Sequence, residues 1–403
     1  MAKNHSGHNQ EHLQASKFTP SSGVKTMAVA AAALGGLALI VGLFKFQDKV
    51  WPAFLLSFFY FSCLGIGGLF FSALQSITNA GWSASVRRIG EAFTAFIPIM
   101  LVCGLILAFG LKFLYPWADA DRMASDALLQ VKKAYLNYPF FLIRIFGFSL
   151  LLWFFRHQIV GRSITQDTTG NDELTHCAVP WSIAFMFVFA LGFSLFSVDL
   201  LMALLPYWYS TIWGVYCFSG LIQTTFAAMI LFAFSIINSG AVKGYINIEH
   251  VHDLAKFLKG FTVFWAYIAF SQFMLIWYAN IPEETEFFLL RSQNGWLGIS
   301  FGLLIFRFII PFLILLPRGT KRSEGTLKFV CWLVMVMQFV DLYWLIYPNF
   351  NDNHVTLGVM DVLVFAGMAG VFMLSVFKFF EKFSPVAVKD PRMHEALNHH
   401  VTY

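Results

Sequence analysis

The stretch HVHDLAKFLKGFTVFWAYIAFSQFMLIWYANIPEET runs from His250 to Thr285 and indicates the fold class. Polar clusters stand at both ends, and the residues between them are apolar and aromatic over the length of a membrane span. Lipid offers the backbone no hydrogen-bond partners, so such a segment crosses a bilayer as a helix. The stretch predicts a helical membrane protein, and it raises the question of why Ser271, Gln272 and Tyr278 lie inside a span.

The composition extends this prediction to the whole chain. Of 403 residues, 58% are hydrophobic and only 12% are charged, whereas a soluble domain carries about 25% charged residues. The alternating pattern of membrane β-barrel strands is absent. The net charge of +5 is explained by basic loops on one side of a membrane rather than by a nucleic-acid surface. We therefore expect an all-α polytopic membrane protein.

Hydrophobic segments predict ten spans between an N-terminal tail, residues 1–25, and a C-terminal tail, residues 381–403. Of the 27 basic residues, seven lie in the odd-numbered loops and at their edges, and Arg144 and Arg307 lie inside spans. The others lie in the even-numbered loops, at the edges of those loops, and in the tails. This bias places both termini in the cytoplasm. The predicted spans are 26–44, 52–75, 92–114, 138–158, 179–204, 210–236, 258–280, 296–317, 326–347 and 356–379.

Three polar segments lie outside these spans. Residues 115–137 are expected to form one amphipathic helix on the outer surface, with Met123, Leu128, Val131 and Tyr135 on one side. Residues 159–178 are rich in turn formers and are expected to form a cytoplasmic loop. The C-terminal tail is expected to dock on a partner or to stay mobile.

A short internal repeat predicts how the spans are grouped. Val198-Asp199-Leu200 in span 5 matches Val340-Asp341-Leu342 in span 9, and a proline follows seven residues after each aspartate. Each of these spans follows a span with an arginine inside it. We infer two parallel four-helix bundles within the membrane domain 26–380: spans 2–5 (52–204) and spans 6–9 (210–347), with spans 1 and 10 outside.

The charges inside spans are candidate functional residues. A charge within a span is costly and usually pairs with another charge or lines a polar cavity. Each aspartate lies seven residues before its proline, roughly 10 Å below the outer surface. We expect Arg144 to pair with Asp199 and Arg307 to pair with Asp341. Such pairs either set helix register only or take part in proton movement.

Span 7 carries the remaining candidates for a proton path. His252, Asp253 and Lys256 crowd its cytoplasmic end, Gln272 and Tyr278 follow inside the span, and Glu283 lies at the outer end. Protonatable and hydrogen-bonding side chains spread along one helix could form part of such a path. The alternative is that both ends are ordinary interfacial polar caps, with aromatic residues contributing to the membrane belt.

Signatures of cofactor sites are missing from the sequence. The five cysteines form no Cys-x-x-Cys motif. His250 and His252 have the spacing of a metal pair but lack further ligands at suitable spacing. A membrane haem needs facing histidines deep in two spans, and only His157 lies even at a span end. We therefore expect no metal and no cofactor bound by this chain. If the chain serves a redox process, electrons must move through partners or a bound quinone.

The stretch in span 7 resembles the large membrane subunits of alternative complex III, which belong to the polysulfide-reductase-type (NrfD-like) family. Further similar segments cover most of the chain from span 4 to span 9: KAYLNYPFFLIR (133–144), ALLPYWYSTIWGVY (203–216), FIIPFLILL (308–316) and VDLYWLIYP (340–348). The resemblance implies ten spans in two bundles. It also implies that motif positions are matched by Asp199, His252, Asp253, Lys256, Gln272, Glu283 and Asp341.

The resemblance further implies a function in the bacterial inner membrane. Members of this family serve quinol:acceptor oxidoreductases, whose iron–sulfur clusters and haem c lie in an iron–sulfur subunit and multihaem cytochrome c subunits. The family has two related ten-span subunits, and this chain is similar to the second, shorter one, which serves assembly and proton movement. Family members often have FDWVM where this chain has Val198-Asp199-Leu200-Leu201-Met202, so the resemblance does not imply a shared quinol pocket. The alternatives are a quinol-binding subunit and a stand-alone secondary transporter.

Overall fold

A computed structural model describes residues 13–350 and 353–400. Helices dominate the described residues, and ten of them are long and apolar enough to cross a membrane, which confirms the predicted all-α polytopic class. The spans, numbered 1 to 10, are Ser22–Lys45, Gln47–Ile77, Arg87–Ala108, Tyr138–Thr169, Glu173–Leu204, Trp213–Ser239, Ile248–Ala279, Trp296–Leu315, Glu324–Asn349 and Val359–Lys382.

The spans pack as two rings of four helices. Span 2 contacts spans 3 and 5, and span 4 closes the first ring by contacting the same two helices. In the second ring, spans 6 and 8 each contact spans 7 and 9. Spans 2 and 6 are the most buried, and they contact each other where the rings meet. Span 1 lies outside both rings against span 10, which also packs on spans 2 and 3.

Small residues allow the central helices to approach closely. A Cβ atom added to Gly67 would lie 2.0 Å from Oγ1 of Thr225 in span 6, and one added to Gly68 would lie 2.2 Å from the carbonyl oxygen of Gly90 in span 3. Helices in a membrane associate through such packing because lipid tails are as apolar as the side chains. The two glycines therefore hold span 2 in contact with both neighbours.

Both described chain ends lie on the same side of the bundles, which we call the terminal face. The strand Gln14–Ala15 pairs with Val242–Lys243 in the loop between spans 6 and 7. At the other end of the chain, His399 contacts Asp253 at the start of span 7. The loops 78–86, 170–172, 240–247 and 316–323 share this face, and the opposite surface is the distal face.

The expectation of one amphipathic helix over residues 115–137 is wrong. Two short helices, Ala120–Ser125 and Ala127–Lys132, meet at the extended residue Asp126, whose carboxylate accepts hydrogen bonds from the backbone N–H groups of Leu128 and Leu129. This new N-cap resets the helical register. As a result Leu129 is buried, whereas Leu128 and Val131 are 63% and 82% exposed.

The loop expected over residues 159–178 is also not observed. Span 4 continues through a π-helical turn, His157–Gly161, into the helix Arg162–Thr169, and span 5 begins at Glu173. Thr165 donates its hydroxyl proton to the carbonyl oxygen of Gly161 within the helix. Serine and threonine can make such bonds inside a helix as well as in turns, so their abundance did not distinguish the two states.

The C-terminal tail docks on its own chain. Its short helix, Met393–Leu397, packs against the 3-10 helix Gly81–Ser85 between spans 2 and 3. Ala396 is fully buried, and Nε2 of His399 lies 2.6 Å from Oδ2 of Asp253. The expectation of a mobile tail is therefore wrong for residues 383–400, and docking of the tail on a partner stays a prediction. The final residues, 401–403, lie outside the described part of the chain.

Adjacent glycines in span 1 provide a matched test of its packing on span 10. A Cβ atom added to Gly35 would lie 2.2 Å from Cα of Gly367, whereas one added to Gly36 would meet nothing within 4 Å. We expect Gly35→Val to destabilise the protein by about 1–3 kcal/mol through overpacking. Gly36→Val should change stability by less than about 0.5 kcal/mol. Thermal unfolding in detergent measures both, and equal losses would contradict this account of the contact.

Remaining short helical segments connect the spans. They are Leu111–Leu114, Pro116–Ala118, Pro282–Leu290 and Thr320–Arg322.

Candidate functional site

The second bundle buries an ion pair at its centre. NH1 of Arg307 in span 8 lies 2.8 Å from Oδ2 of Asp341 in span 9, and the two side chains are 0% and 3% exposed. This confirms the predicted pairing. An unpaired charge in this position would be strongly disfavoured, so the two residues supply each other with the opposite charge.

Polar side chains from other spans complete the surroundings of this pair. Arg307 donates Nε–H to Oε1 of Gln223 at 3.1 Å, and it also donates to Oε1 of Gln338. The hydroxyl of Tyr216 donates to Oδ1 of Asp341 at 2.5 Å. Each carboxylate oxygen of Asp341 therefore has a donor, and the side chain is held between Arg307 and Tyr216.

Local backbone geometry places Arg307 in this position. Residues Leu303–Ile309 form a π-helical segment that ends two residues before Pro311. A proline has no N–H to donate to the carbonyl four residues earlier, which here belongs to Arg307. Single π-helical turns are frequent at functional sites. Gly220 makes room on the facing helix, since an added Cβ would lie 2.8 Å from Oε1 of Gln338 and 3.0 Å from NH2 of Arg307.

The first bundle holds the matching pair nearer the distal face. Arg144 in span 4 binds Asp199 in span 5 through two parallel bonds, Nε–Oδ2 at 2.7 Å and NH2–Oδ1 at 2.9 Å. NH1 donates to the backbone oxygen of Tyr135 at 3.1 Å, and the guanidinium stacks over the rings of Tyr135 and Phe140. This second predicted pairing is also confirmed, although the Arg144 side chain remains 11% exposed.

A cluster of ionisable residues lies at the start of span 7 on the terminal face. We call it the terminal histidine cluster: His250, His252, Asp253, Lys256 and His399. Asp253 lies 2.5 Å from Nζ of Lys256 and 2.6 Å from Nε2 of His399. Nδ1 of His250 accepts the backbone N–H of Asn247 in a capping box that begins the helix. Helix capping therefore fixes the orientation of the cluster.

Some nitrogens of this cluster lack hydrogen-bond partners within residues 13–350 and 353–400. They are both ring nitrogens of His252 and Nε2 of His250, on residues that are 1% and 0% exposed. Buried polar atoms of this kind are commonly satisfied by ordered water. Beside Asp253 and Lys256, a groove of about 610 Å³ runs along span 7 between Trp82 and Phe261. The cluster thus combines protonatable groups with space for water.

The other candidates on span 7 are not brought into this cluster. Gln272 is 4% exposed and lies inside the bundle, where its Nε2 has no hydrogen-bond partner among the described residues. Tyr278 is 81% exposed beside Trp277, and Glu283 is exposed on the distal helix Pro282–Leu290. An aromatic pair at a span end is typical of the membrane–water interface. Whether these residues share a proton path with Asp253 stays a prediction.

Sequence reasoning missed a second buried ionic cluster on the terminal face. Arg87 and Arg88, at the start of span 3, both bind Glu91, with Nε–Oε distances of 3.2 and 3.1 Å. Arg87 also reaches Asp390 of the C-terminal tail at 2.5 Å, and Arg88 reaches Asp167 at the end of span 4 at 2.6 Å. The available signal was Arg-Arg-x-x-Glu immediately before an apolar run, but the predicted span began after it, at residue 92.

The tail carboxylate in this cluster is held ionised. Burial opposes the charge on Asp390, but Arg87, the backbone N–H of Arg392 and the Arg392 side chain together keep the pKa of Asp390 below its ordinary value. The side chain of Asp390 is fully buried in the interface between the tail and span 3. The tail is therefore attached to the bundle by a charged contact.

The described ranges contain no group of three or more histidine, cysteine, aspartate or glutamate side chains arranged to hold a metal ion. Comparison with known proteins yields no family assignment, because no protein-family model matches the chain and no curated protein matches it.

Proposed function

We propose that this chain is a membrane subunit of a quinol:cytochrome c oxidoreductase of the alternative complex III type, in which it handles protons and supports assembly. The complex would also contain a related ten-span subunit, an iron–sulfur subunit and multihaem cytochrome c subunits. Quinol oxidation releases protons, and the redox cofactors would lie in the partners. The proposal rests on the sequence resemblance and on where the ionisable residues lie.

One structural observation carries the proton-handling part of this proposal. Both bundles bury an arginine–aspartate pair, and the terminal histidine cluster adds a carboxylate and imidazoles beside a groove. Ionisable groups inside a membrane domain are costly, and they commonly mark ion or proton pathways. The two pairs lie inside the bundles and the cluster lies at the terminal face, so together they occupy both the interior and one surface of the domain.

The basic residues support an orientation for the proposed subunit. The terminal face carries Arg87, Arg88, Lys256, Lys321 and Arg322, whereas the distal helix Pro282–Leu290 is acidic. Basic loops stay on the cytoplasmic side of a bacterial inner membrane. We therefore propose that the terminal face is cytoplasmic and that the terminal histidine cluster takes up or releases protons there.

A substitution in the terminal histidine cluster tests the proposal. The intact complex would be purified in mild detergent, identified by its c-type haem spectrum and by peptides of its partners, and assayed for quinol oxidation. Asp253→Asn keeps the shape of the side chain but removes its proton affinity. We expect turnover to fall on the order of a hundredfold, the low end for a positioned proton-transfer group, with haem content unchanged.

Asp172→Asn is the matched control, because Asp172 is an exposed carboxylate on the same face. Normal turnover of the Asp253→Asn complex would contradict proton handling by the cluster. Purification of this chain without any haem-containing partner would contradict the proposed complex itself.

The groove beside Asp253 favours a second candidate, in which this chain binds quinol directly. Its walls include Trp82, Phe257, Phe261 and Phe264, and its polar end holds Asp253 and Lys256, so an aromatic ring with hydroxyl groups matches its chemistry. The kinetics of the Asp253→Asn complex separate the two functions. Loss of proton transfer lowers kcat, whereas loss of quinol binding raises KM with kcat unchanged.

A further inference from the structure

A deep apolar cleft separates spans 9 and 10. Its volume is about 740 Å³, and spans 2 and 6 form its floor with Leu64 and Ala228. Phe339 and Phe365 close one end by an edge-to-face contact with ring centroids 4.7 Å apart. From Phe365 to Phe377 the cleft follows span 10 for roughly 18 Å.

Helix packing explains why the cleft exists. Span 10 packs mainly on span 1, at the contact between Gly35 and Gly367, whereas span 9 packs on spans 6 and 8. The two spans therefore belong to different parts of the bundle although they are consecutive in the sequence. Trp332, Val336 and Val362, which are 58%, 55% and 52% exposed, line its outer edges. The cleft thus opens toward the lipid.

The end of the cleft at the terminal face is polar. The segment 13–20 crosses it, held by the strand pair with Val242–Lys243 and by Phe18, whose ring lies 5.8 Å from that of Phe380. Hydroxyl and amide groups form the rim there: Thr19, Ser21, Asn238 and Ser239. The cavity therefore has an apolar shaft within the membrane and a polar rim at its surface.

Charges near the rim occur in balanced pairs. Nζ of Lys25 lies 2.6 Å from Oε1 of Glu381, and Nζ of Lys328 lies 2.6 Å from Oε1 of Glu324. Asn238 of the rim donates to the same oxygen of Glu324 at 2.7 Å. A headgroup with one positive and one negative charge complements such a surface better than an anionic headgroup does.

We propose that this cleft binds a zwitterionic phospholipid, with an acyl chain in the shaft and the headgroup at the rim. Water is excluded by the apolar walls, which offer it too few polar partners. The bilayer around the spans supplies the acyl chain directly.

Lipid analysis of purified variants tests this site. Ala369 is partly buried in the wall of the cleft, so Ala369→Phe places a ring in the shaft. We expect the unmodified protein, purified in mild detergent, to retain one zwitterionic phospholipid per chain in native mass spectrometry, and Ala369→Phe to lose it. Ala190→Phe is the matched control, because Ala190 is exposed on span 5 away from the cleft, and it should retain the lipid.

Val362→Trp gives an independent variant that fills the mouth of the cleft at an exposed edge and leaves the core unchanged. It should also lose the retained lipid, even if Ala369→Phe fails to fold. Equal lipid retention by Val362→Trp and the Ala190→Phe control would overturn the proposal. Recovery of an isoprenoid quinone or an anionic lipid as the retained molecule would overturn it as well.

Discussion

Replacing Arg307 with methionine should destabilise the protein by about 3–5 kcal/mol, the cost of leaving one member of a buried ion pair without its partner. Asp341 would stay 2% exposed, with Tyr216 as its remaining side-chain donor. Gln223 and Gln338 would each lose the guanidinium that they accept from. Unfolding in a detergent titration measures the loss.

A double variant separates a structural brace from a proton-handling group. Replacing a whole buried ion pair with apolar residues is often nearly neutral for stability. Arg307→Met combined with Asp341→Leu should therefore recover at least half of the stability lost by the single variant. Turnover of the complex should stay low, because no ionisable group remains at this position. If turnover returns together with stability, the pair is only a brace.

The first bundle supplies the matched comparison. Arg144→Met also removes one partner of a pair, but the Arg144 side chain is 11% exposed whereas that of Arg307 is fully buried. Water from the distal face can then reach Asp199 and reduce the penalty. We expect a smaller loss of stability than for Arg307→Met, and an equal or larger loss would contradict the difference in burial.

Replacing Asp390 with asparagine should release the C-terminal tail from the terminal face. The substitution removes a carboxylate that lies 2.5 Å from NH2 of Arg87 in a buried interface. Breaking a buried ion pair costs about 3 kcal/mol at the low end of the usual range. We expect this low value because Glu91 remains as a partner for Arg87. Hydrogen exchange of residues 386–397 should therefore accelerate on the order of a hundredfold, since 1.4 kcal/mol corresponds to tenfold.

The pH dependence of tail docking provides a second measurement. Because the pKa of Asp390 is lower in the docked state, the ionised carboxylate stabilises docking fully above the ordinary aspartate pKa of about 3.9. This stabilisation of docking is lost as the pH falls through the lowered pKa of Asp390. Docking should thus persist from neutral pH to about pH 4 in the unmodified protein. Asp172→Asn, at an exposed position, is the control, and unchanged exchange in Asp390→Asn would show that the pair does not hold the tail.

The amino-acid sequence alone determined the membrane class, the number of spans and the arginine and aspartate of each buried pair. These properties depend on local composition, because a run of apolar residues must form a helix in lipid and a charge inside it needs a partner. The repeat around Asp199 and Asp341 also indicated the correct arginine for each aspartate. Such pairs could be predicted since each joins consecutive spans of one bundle.

Local signals failed where a segment had two physically acceptable states. Residues 115–137 suited one amphipathic helix, but the carboxylate of Asp126 began a second helix and turned Leu129 inward. Residues 159–178 had the composition of a loop, yet Thr165 bonds within a helix. In both segments side chains bond to the backbone in the state that forms, and composition does not specify which of these bonds is made.

Only the tertiary structure decided which distant residues meet. His399 contacts Asp253, and Asp390 contacts Arg87, across separations of 146 and 303 residues. Nothing in either local segment encodes these contacts, because they arise from the docking of the tail on the assembled helices. The separation of spans 9 and 10, and with it the apolar cleft, likewise follows from the packing of each span on other helices. Sequence thus specified the spans and the two arginine–aspartate pairs, whereas packing between distant elements created the terminal histidine cluster and the cleft.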